Sequence, residues 1–519
     1  MNPILRTKLD ADFATIAELI HLHARDEPRR RALVQDEEVL DYGTLDAQMD
    51  RVTAALQRDG VQAGDAIAIC AGTSVAYAVT YLGALRAGVV VAPLAPGATA
   101  ESLAGMLHDA QARLLFLDRT AAHTLGAHAA AVPRVALDDS DAGLPWSQWL
   151  AAPGSRPQAV TVDAQWPFNI IYSSGTTGEP KGIVQPHGMR WAHVKRGAGY
   201  GYGPATVTLL STPLYSNTTL VVFFPTLAYG GTAVLMSKFD AAAYLQLAQS
   251  ERVTHTMLVP VQYQRIMARP DFGQYDLARF HIKFSTSAPF SAALKADVLA
   301  RWPGGLVEFY GMTEGGGTCI LEAHLHPDKL HTVGRPAQGH DIRLIDEAGR
   351  EVASGEAGEV VGHSPGMMKG YHNRPGPTRE AEWFDRQGKR FIRTGDIGRF
   401  DTDGFLILFD RRKDMIISGG FNIYPSDLEA MLRQHPAVLE AAVVGVPSEQ
   451  WGETPVAFVV LKPGQTVPAA ELKDWVNGRV GKTQRLADLR HLDELPRSAI
   501  GKVLKRELRE RYPAGTARA

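Results

Sequence analysis

The chain has 519 residues, 45% hydrophobic and 21% charged, with a formal net charge of −2. That length exceeds one ordinary core, so two or more domains of a soluble globular protein are expected, and the near-neutral balance argues against nucleic acid as the main partner. Cys70 and Cys319, the two cysteines, lie far apart in sequence and indicate neither a disulfide framework nor a Cys-based metal cluster, which fits a reducing cytoplasm.

The N-terminal run MNPILRTKLDADF lacks the apolar core and cleavage site of a signal peptide. Leu45–Asp59 reads as a helix. Ala66 to Leu85 carries no charge and approaches the length of a membrane span, but Gly72, Thr73, Ser74, Thr80 and Gly83 interrupt it. A buried strand at Ala66–Cys70, a loop and an apolar-faced helix are expected instead, then a second buried strand at Val89–Ala92. Further along, Ala112–Leu117, Phe168–Ile171, Val207–Leu210 and Thr232–Leu235 read as strands. Ala100–Asp109, Ala241–Gln249 and Gln262–Met267 read as helices. Such alternation predicts parallel sheets covered by helices. From about Val333 the texture changes to short strands joined by Asp346–Gly349, Asp385–Gly388 and Asp401–Gly404, which predicts a small β-rich subdomain. The charge run Asp410-Arg411-Arg412-Lys413-Asp414 follows. Beyond it, a helix at Pro425–Leu432, strands at Leu439–Val444 and Val456–Leu461, and a helix at Ala469–Val480 suffice for a compact α+β domain. Pro513–Ala519 is expected to fray.

The most informative stretch is Tyr172-Ser173-Ser174-Gly175-Thr176-Thr177-Gly178-Glu179-Pro180-Lys181-Gly182, directly after the mostly apolar run Phe168 to Ile171. A strand opening into such a loop can aim backbone N–H groups and hydroxyls at an anion, with Gly175 and Gly178 allowing the wrapping and Lys181 adding a point charge for a phosphate. The spacing is not that of the Walker loop. The whole string resembles the phosphate loop of the acyl-adenylate-forming superfamily, which includes acyl-CoA synthetases, adenylation domains of peptide synthetases and beetle luciferases.

Four further segments follow in the order of that family. Phe309-Tyr310-Gly311-Met312-Thr313-Glu314 resembles its aromatic-Gly-X-Thr-Glu motif. The resemblance implies Tyr310 against adenine, with Gly311 and Met312 beside the nucleotide, Thr313 on the α-phosphate and Glu314 on Mg²⁺. Upstream, Ser285–Pro289 occupies the place of a small-residue loop beside adenine and substrate; Ser287 stands where that loop usually carries glycine. Arg393-Thr394-Gly395-Asp396 resembles the ribose site, with Asp396 accepting both hydroxyls, Arg411 contacting ribose and phosphate, and Lys413 at the hinge. Ser418-Gly419-Gly420 corresponds to the loop lining the thiol tunnel for coenzyme A. Pro496–Lys502 resembles the C-terminal lysine loop, whose lysine, here Lys502, bonds carboxylate and phosphate oxygens during adenylation.

The resemblance covers essentially the whole chain. It implies an α/β large N-terminal domain (residues 1–410) of two helix-covered sheets plus a small β-barrel-like subdomain. A hinge (411–413) and a small mobile α+β C-terminal domain (414–519) follow. The implied activity is ATP-dependent ligation of a carboxylic acid to coenzyme A through an acyl-AMP, with Lys181, Lys502, Thr313 and Glu314 as the catalytic set. Domain rotation would separate the two half-reactions. ATP, Mg²⁺ and coenzyme A are the expected cofactors, with no nucleic acid, no integral membrane association, and a homodimer as a candidate assembly. The alternatives are a stand-alone adenylating enzyme that loads a carrier protein, or a non-catalytic nucleotide-binding homologue. Candidates for the acyl pocket are Tyr215, Ser216, Asn217, Ser287, Met312, Gly315, Gly316 and Gly317. No aspartate in Leu214–Thr218 awaits an α-amine, and Ser216 replaces a gating histidine common in acyl-CoA ligases. The three glycines either leave room for a ring or long chain, or only permit a tight turn. An aryl, arylalkanoic or medium-chain acid is the expected substrate.

Overall fold

The computed structural model describes residues 3–128, 131–173, 180–411, 414–418, 421–448, 451–498 and 501–512. Packing divides the chain into two units, one of Met1–Asp341 with Gly362–Ile392, the other of Ile342–Val361 with Arg393–Ala519.

Two sheets build the first unit. One runs Arg335–Pro336, Thr318–Glu322, Gly305–Gly311, Ile282–Ser285, His255–Leu258, Val207–Leu210, Thr232–Leu235, Arg31–Gln35, Glu38–Asp41. Its six strands from Gly305–Gly311 to Arg31–Gln35 are parallel; only the strands at its two ends are antiparallel. The other runs Gly370–Tyr371, Lys181–Pro186, Pro167–Ser173, Val90–Leu94, Ala66–Cys70, Leu115–Leu117, Arg134–Ala136, Leu144–Pro145. Apolar strands such as Val90–Leu94, buried along their whole length, suit a sheet covered on both faces.

Helices Val75–Arg86 and Asn217–Ala228 are apolar nearly all round and almost wholly buried, which makes them central rather than surface helices. They join strands of both sheets in one core. At Gly83 a Cβ would stand 2.5 Å from Val52 Cβ, so glycine permits helix Tyr42–Arg58 to cross Val75–Arg86 closely. The uncharged stretch Ala66 to Leu85 is therefore a strand, a loop and a helix capped by Ser74, whose Oγ accepts from Tyr77 N at 3.1 Å. Among the described residues no helix is long and apolar enough to cross a membrane.

In the second unit, strands Phe421–Ile423, Ile416–Ser418, Gly452–Leu461 and Val438–Ser448 lie in that order, with Asp488–His491 pairing Gly452–Leu461. Helices Pro425–Arg433 and Ala469–Asn477 cover one apolar face and Lys505–Arg511 the other. The expected turns are present in both units: Gly388 in the first and Gly349 and Gly404 in the second all have φ between +76° and +79°. Asp385 and Asp401 each accept two backbone N–H bonds across their own turns. The β-rich segment is an open sheet, not the barrel-like body expected, because turn residues specify local hairpins but carry no information about closure.

Candidate active site

Strand Pro167–Ser173 leads into the phosphate-loop string and Lys181–Pro186 returns antiparallel, with Lys181 opposite Ser173. Ser174, Gly175, Thr176, Thr177 and Gly178 lie outside the described residues. Strand Gly370–Tyr371 pairs with Ile183 and Val184, which sets Tyr371 beside the returning strand. The Tyr371 hydroxyl donates to Glu314 Oε1 at 2.9 Å, and Lys181 Nζ stands 5.2 Å from the centroid of the same ring. Glu314 is only 9% exposed, and its backbone carbonyl accepts from Met368 N at 2.8 Å. Burial first, then the Glu314 carboxylate, raises the Tyr371 pKa, so the phenol remains a donor at neutral pH. One tyrosine thus joins the cation of the first motif to the carboxylate of the second.

Sequence reasoning missed Tyr371. Its signal is the spacing Tyr371…Pro375…Thr378: Pro375 starts helix Pro375–Glu380, and Thr378 Oγ1 accepts from Tyr371 N at 2.9 Å. Sequence reasoning also missed Gln185 and Arg190, two buried polar residues in the strand and helix after Lys181. Gln185 Nε2 donates to the Thr313 carbonyl at 2.7 Å, and Arg190 donates to Gln185 Oε1.

Tyr310 and Gly311 end strand Gly305–Gly311, with Tyr310 half-buried opposite Cys319. Met312 packs on Ile183, Met368 and Ile392. Among the described residues no three His, Cys, Asp or Glu side chains converge as a metal cage. A single carboxylate, held by a phenol on one oxygen, fits a hard cation that takes its other ligands from substrate phosphates and water.

The acyl candidates divide by what they do locally. Ser216 caps helix Asn217–Ala228 by accepting from Thr218 N at 3.3 Å. Tyr215 is half-buried, its pKa raised by burial and then by the neighbouring Cys70 thiol. Ser287 adopts φ +80°, a left-handed conformation that favours glycine, and its Oγ pairs with Thr218 Oγ1 at 2.7 Å. That conformation explains why glycine suits the position and what restrains a serine there. For Gly315 and Gly316 the tight-turn reading wins. A Cβ on Gly315 (φ +76°) would stand 2.2 Å from Gly366 O, and one on Gly316 would stand 2.4 Å from Ile392 Cβ. Protein fills the space beyond both, so neither opens room for substrate; Gly317 has φ +103°.

Seven candidates belong to the second unit. Asp396 is half-buried on Arg390–Phe400, just past Gly395 (φ +72°), and its N–H donates to Thr394 Oγ1 at 3.0 Å. Arg411 is its cross-strand partner. Ser418 ends strand Ile416–Ser418, whereas Gly419, Gly420 and Lys413 lie outside the described residues. Lys502 sits in a turn where Ser498 N donates to Lys502 O at 2.8 Å and Arg497 Nη1 to Gly501 O at 2.7 Å. Arg497 is anchored in turn by Glu440 at 3.0 Å.

A cation and a buried carboxylate meeting at one ring beside a strand pair can serve a phosphate-bearing ligand and its metal ion. The AMP-binding enzyme family matches residues 20–372, and the AMP-binding enzyme C-terminal domain matches residues 427–502. The chain belongs to the AMP-binding enzymes. It is similar to a feruloyl-CoA synthase of Amycolatopsis sp, 34% identical over 94% of this chain and 97% of that protein. It is also similar to the fatty acid–[acyl-carrier-protein] ligase ScoC of Streptomyces coeruleorubidus, 32% identical over 97% of this chain and 98% of the relative. Among solved structures, ATP-bound MatB from Rhodopseudomonas palustris superposes with a TM-score of 0.86 at 30% identity, covering 95% of this chain and 98% of MatB.

Proposed function

We propose that this AMP-binding enzyme activates an aryl, arylalkanoic or medium-chain carboxylic acid, with Glu314 holding Mg²⁺. The chain is an ATP-dependent, AMP-forming acid–thiol ligase that makes a coenzyme A thioester through an acyl-adenylate and releases AMP and pyrophosphate. The observation that carries the site assignment is the Lys181–Tyr371–Glu314 bridge, in which a strand-borne cation and the carboxylate of the turn after Gly311 meet at one ring.

In the first half-reaction a carboxylate oxygen of the acid attacks the α-phosphorus, and the bond to the pyrophosphate oxygen breaks. Ser173 and Ser174–Gly178 hold the phosphates while Lys181 neutralises the pyrophosphate side. Thr313 bonds the α-phosphate, and Lys502 bonds both carboxylate and phosphate oxygens as charge develops. Tyr310, Gly311, Met312 and Ser287 border the adenine, while Asp396 and Arg411 take the ribose. Mg²⁺ at Glu314 would supply charge neutralisation on the leaving pyrophosphate. In the second half the thiolate attacks the acyl carbon and the acyl–AMP bond breaks. For that step the C-terminal domain turns about Lys413, withdrawing Lys502 and bringing Ser418–Gly420 to the thiol.

The feruloyl-CoA synthase likeness supports an aromatic acid, and Tyr215, Asn217 and Ser287 supply the polar pocket wall. The likeness to ScoC favours a second reading, in which a carrier-protein thiol is the acceptor. A cytoplasmic location fits two buried free thiols, Cys70 being pushed up to about 12 by burial; light scattering decides between monomer and homodimer. A panel of carboxylic acids assayed for AMP release tests the whole reading. Acid-dependent release with free coenzyme A is expected. Release only with a carrier protein selects the second reading, and no acid-dependent pyrophosphate exchange refutes both.

A further inference from the structure

Gln185 is fully buried in strand Lys181–Pro186, and three neighbours share its amide, two of them of fixed chemistry. Arg190 Nη2 donates to Oε1, while Nε2 donates to Thr313 O at 2.7 Å and Asn217 Oδ1 at 3.5 Å. A guanidinium can only donate and a backbone carbonyl can only accept, so the amide has one allowed orientation.

Arg190 is 1% exposed and lies 5.6 Å from the centroid of Phe168. Among the described residues its Nε and Nη1 have no partner and no carboxylate balances its charge, and burial lowers its pKa to about 10. A buried cation without a counter-charge is destabilising, and an apolar side chain at this helix position would fill the same space at lower cost. Packing therefore does not explain Arg190. What it does is lock Gln185.

We infer that Gln185, locked by Arg190, is a positioning residue that sets the Thr313–Glu314 turn for adenylation and holds the Asn217 amide with its N–H donors turned away from Gln185. The inference rests on the proposed adenylation site. Both Gln185 bonds reach residues carrying a functional assignment, and the same strand begins at Lys181, so one amide registers three motifs against each other. Asn217 Oδ1 faces Gln185, so the Nδ2 donors of this half-buried amide face away from it, which favours an acceptor on the substrate at that point.

The test compares Gln185→Met with the double variant Gln185→Met/Arg190→Met in the full chain. The single variant strands the buried cation and should lower Tm. The double variant removes charge and partner together and should return Tm toward wild type. Adenylation kcat, measured by pyrophosphate exchange, should stay about tenfold down in both, with the KM for ATP moving less. Recovery of kcat alongside Tm in the double variant overturns the inference, as does a single variant within twofold of wild type. AMP affinity by calorimetry should weaken in both variants and needs no acid. Wild-type inactivity toward every acid would thus refute the activity while the affinity comparison still decides for or against Gln185; unchanged affinity in both variants overturns its role.

Discussion

Replacing Tyr371 by Phe isolates one bond in the candidate site. The ring stays, so the Lys181 contact at 5.2 Å and the packing of strand Gly370–Tyr371 are retained. Only the hydroxyl that donates to Glu314 at 2.9 Å is lost. Glu314 is 9% exposed, so water replaces that donor poorly, and a hydrogen bond to a charged group is worth about 1.5–3 kcal/mol. If the carboxylate is needed in that orientation only as the pyrophosphate leaves, the loss falls on the transition state. It then amounts to roughly ten- to 150-fold in kcat/KM for adenylation. Pyrophosphate exchange at saturating magnesium measures it, and Tm should move little beside it. Tyr371→Leu, which also removes the ring beneath Lys181, should lose more. A Tyr371→Phe enzyme within twofold of wild type would refute the reasoning, because the bridge would then be scaffolding only.

Lys502→Ala should slow adenylation on the order of 10²–10³-fold, as for loss of one transition-state donor, while sparing thioester formation from presynthesised acyl-AMP; equal loss in both halves contradicts domain rotation. Gly315→Ala should lower the free energy of unfolding by roughly 2 kcal/mol or more, because it combines φ +76° with a 2.2 Å approach to Gly366 O, and denaturant melts measure it. His187 is 4% exposed, and burial lowers its pKa to about 4. The folded chain keeps it neutral while the unfolded chain protonates it near 6.5, so its contribution is full above that pH and is lost as pH falls toward 4. The loss approaches about 3 kcal/mol at its limit, and His187→Phe should flatten the fall in urea midpoint between pH 6.5 and 4. Identical slopes for the two proteins would count against it.

Much of the first unit was legible from local pattern. The apolar runs Ala66–Cys70, Val207–Leu210 and Thr232–Leu235 are strands at the expected bounds, because a fully buried parallel strand leaves a continuous apolar signature. The hairpin turns at Gly349, Gly388 and Gly404 were legible for a different reason, since Asp and Gly act within four or five residues. Gln185, Arg190 and Tyr371 were not. A glutamine in a strand, an arginine in a helix and a tyrosine after glycine have no local meaning. Tyr371 acquires one from Glu314 and Gln185 from Thr313, each more than fifty residues away, and Arg190 acquires its own only through Gln185. The glycines after Glu314 were ambiguous for the same reason, because whether a missing side chain opens space depends on Gly366 and Ile392.

By itself the sequence determined the chemistry class. Hydroxyls, glycines and a lysine in the order Ser173 to Lys181, followed by Thr313-Glu314, Asp396 and Lys502, resemble the motifs of the adenylate-forming family in its order, and the family itself is borne out by the AMP-binding enzyme match. Only the tertiary structure decided how two of those motifs are coupled. Side-chain hydrogen bonds form between groups that the chain path brings together, and that path depends on sheet order and on helices buried between sheets. Lys181 and Glu314 lie far apart in sequence, yet they share one ring because Gly370–Tyr371 completes the sheet edge beside Ile183.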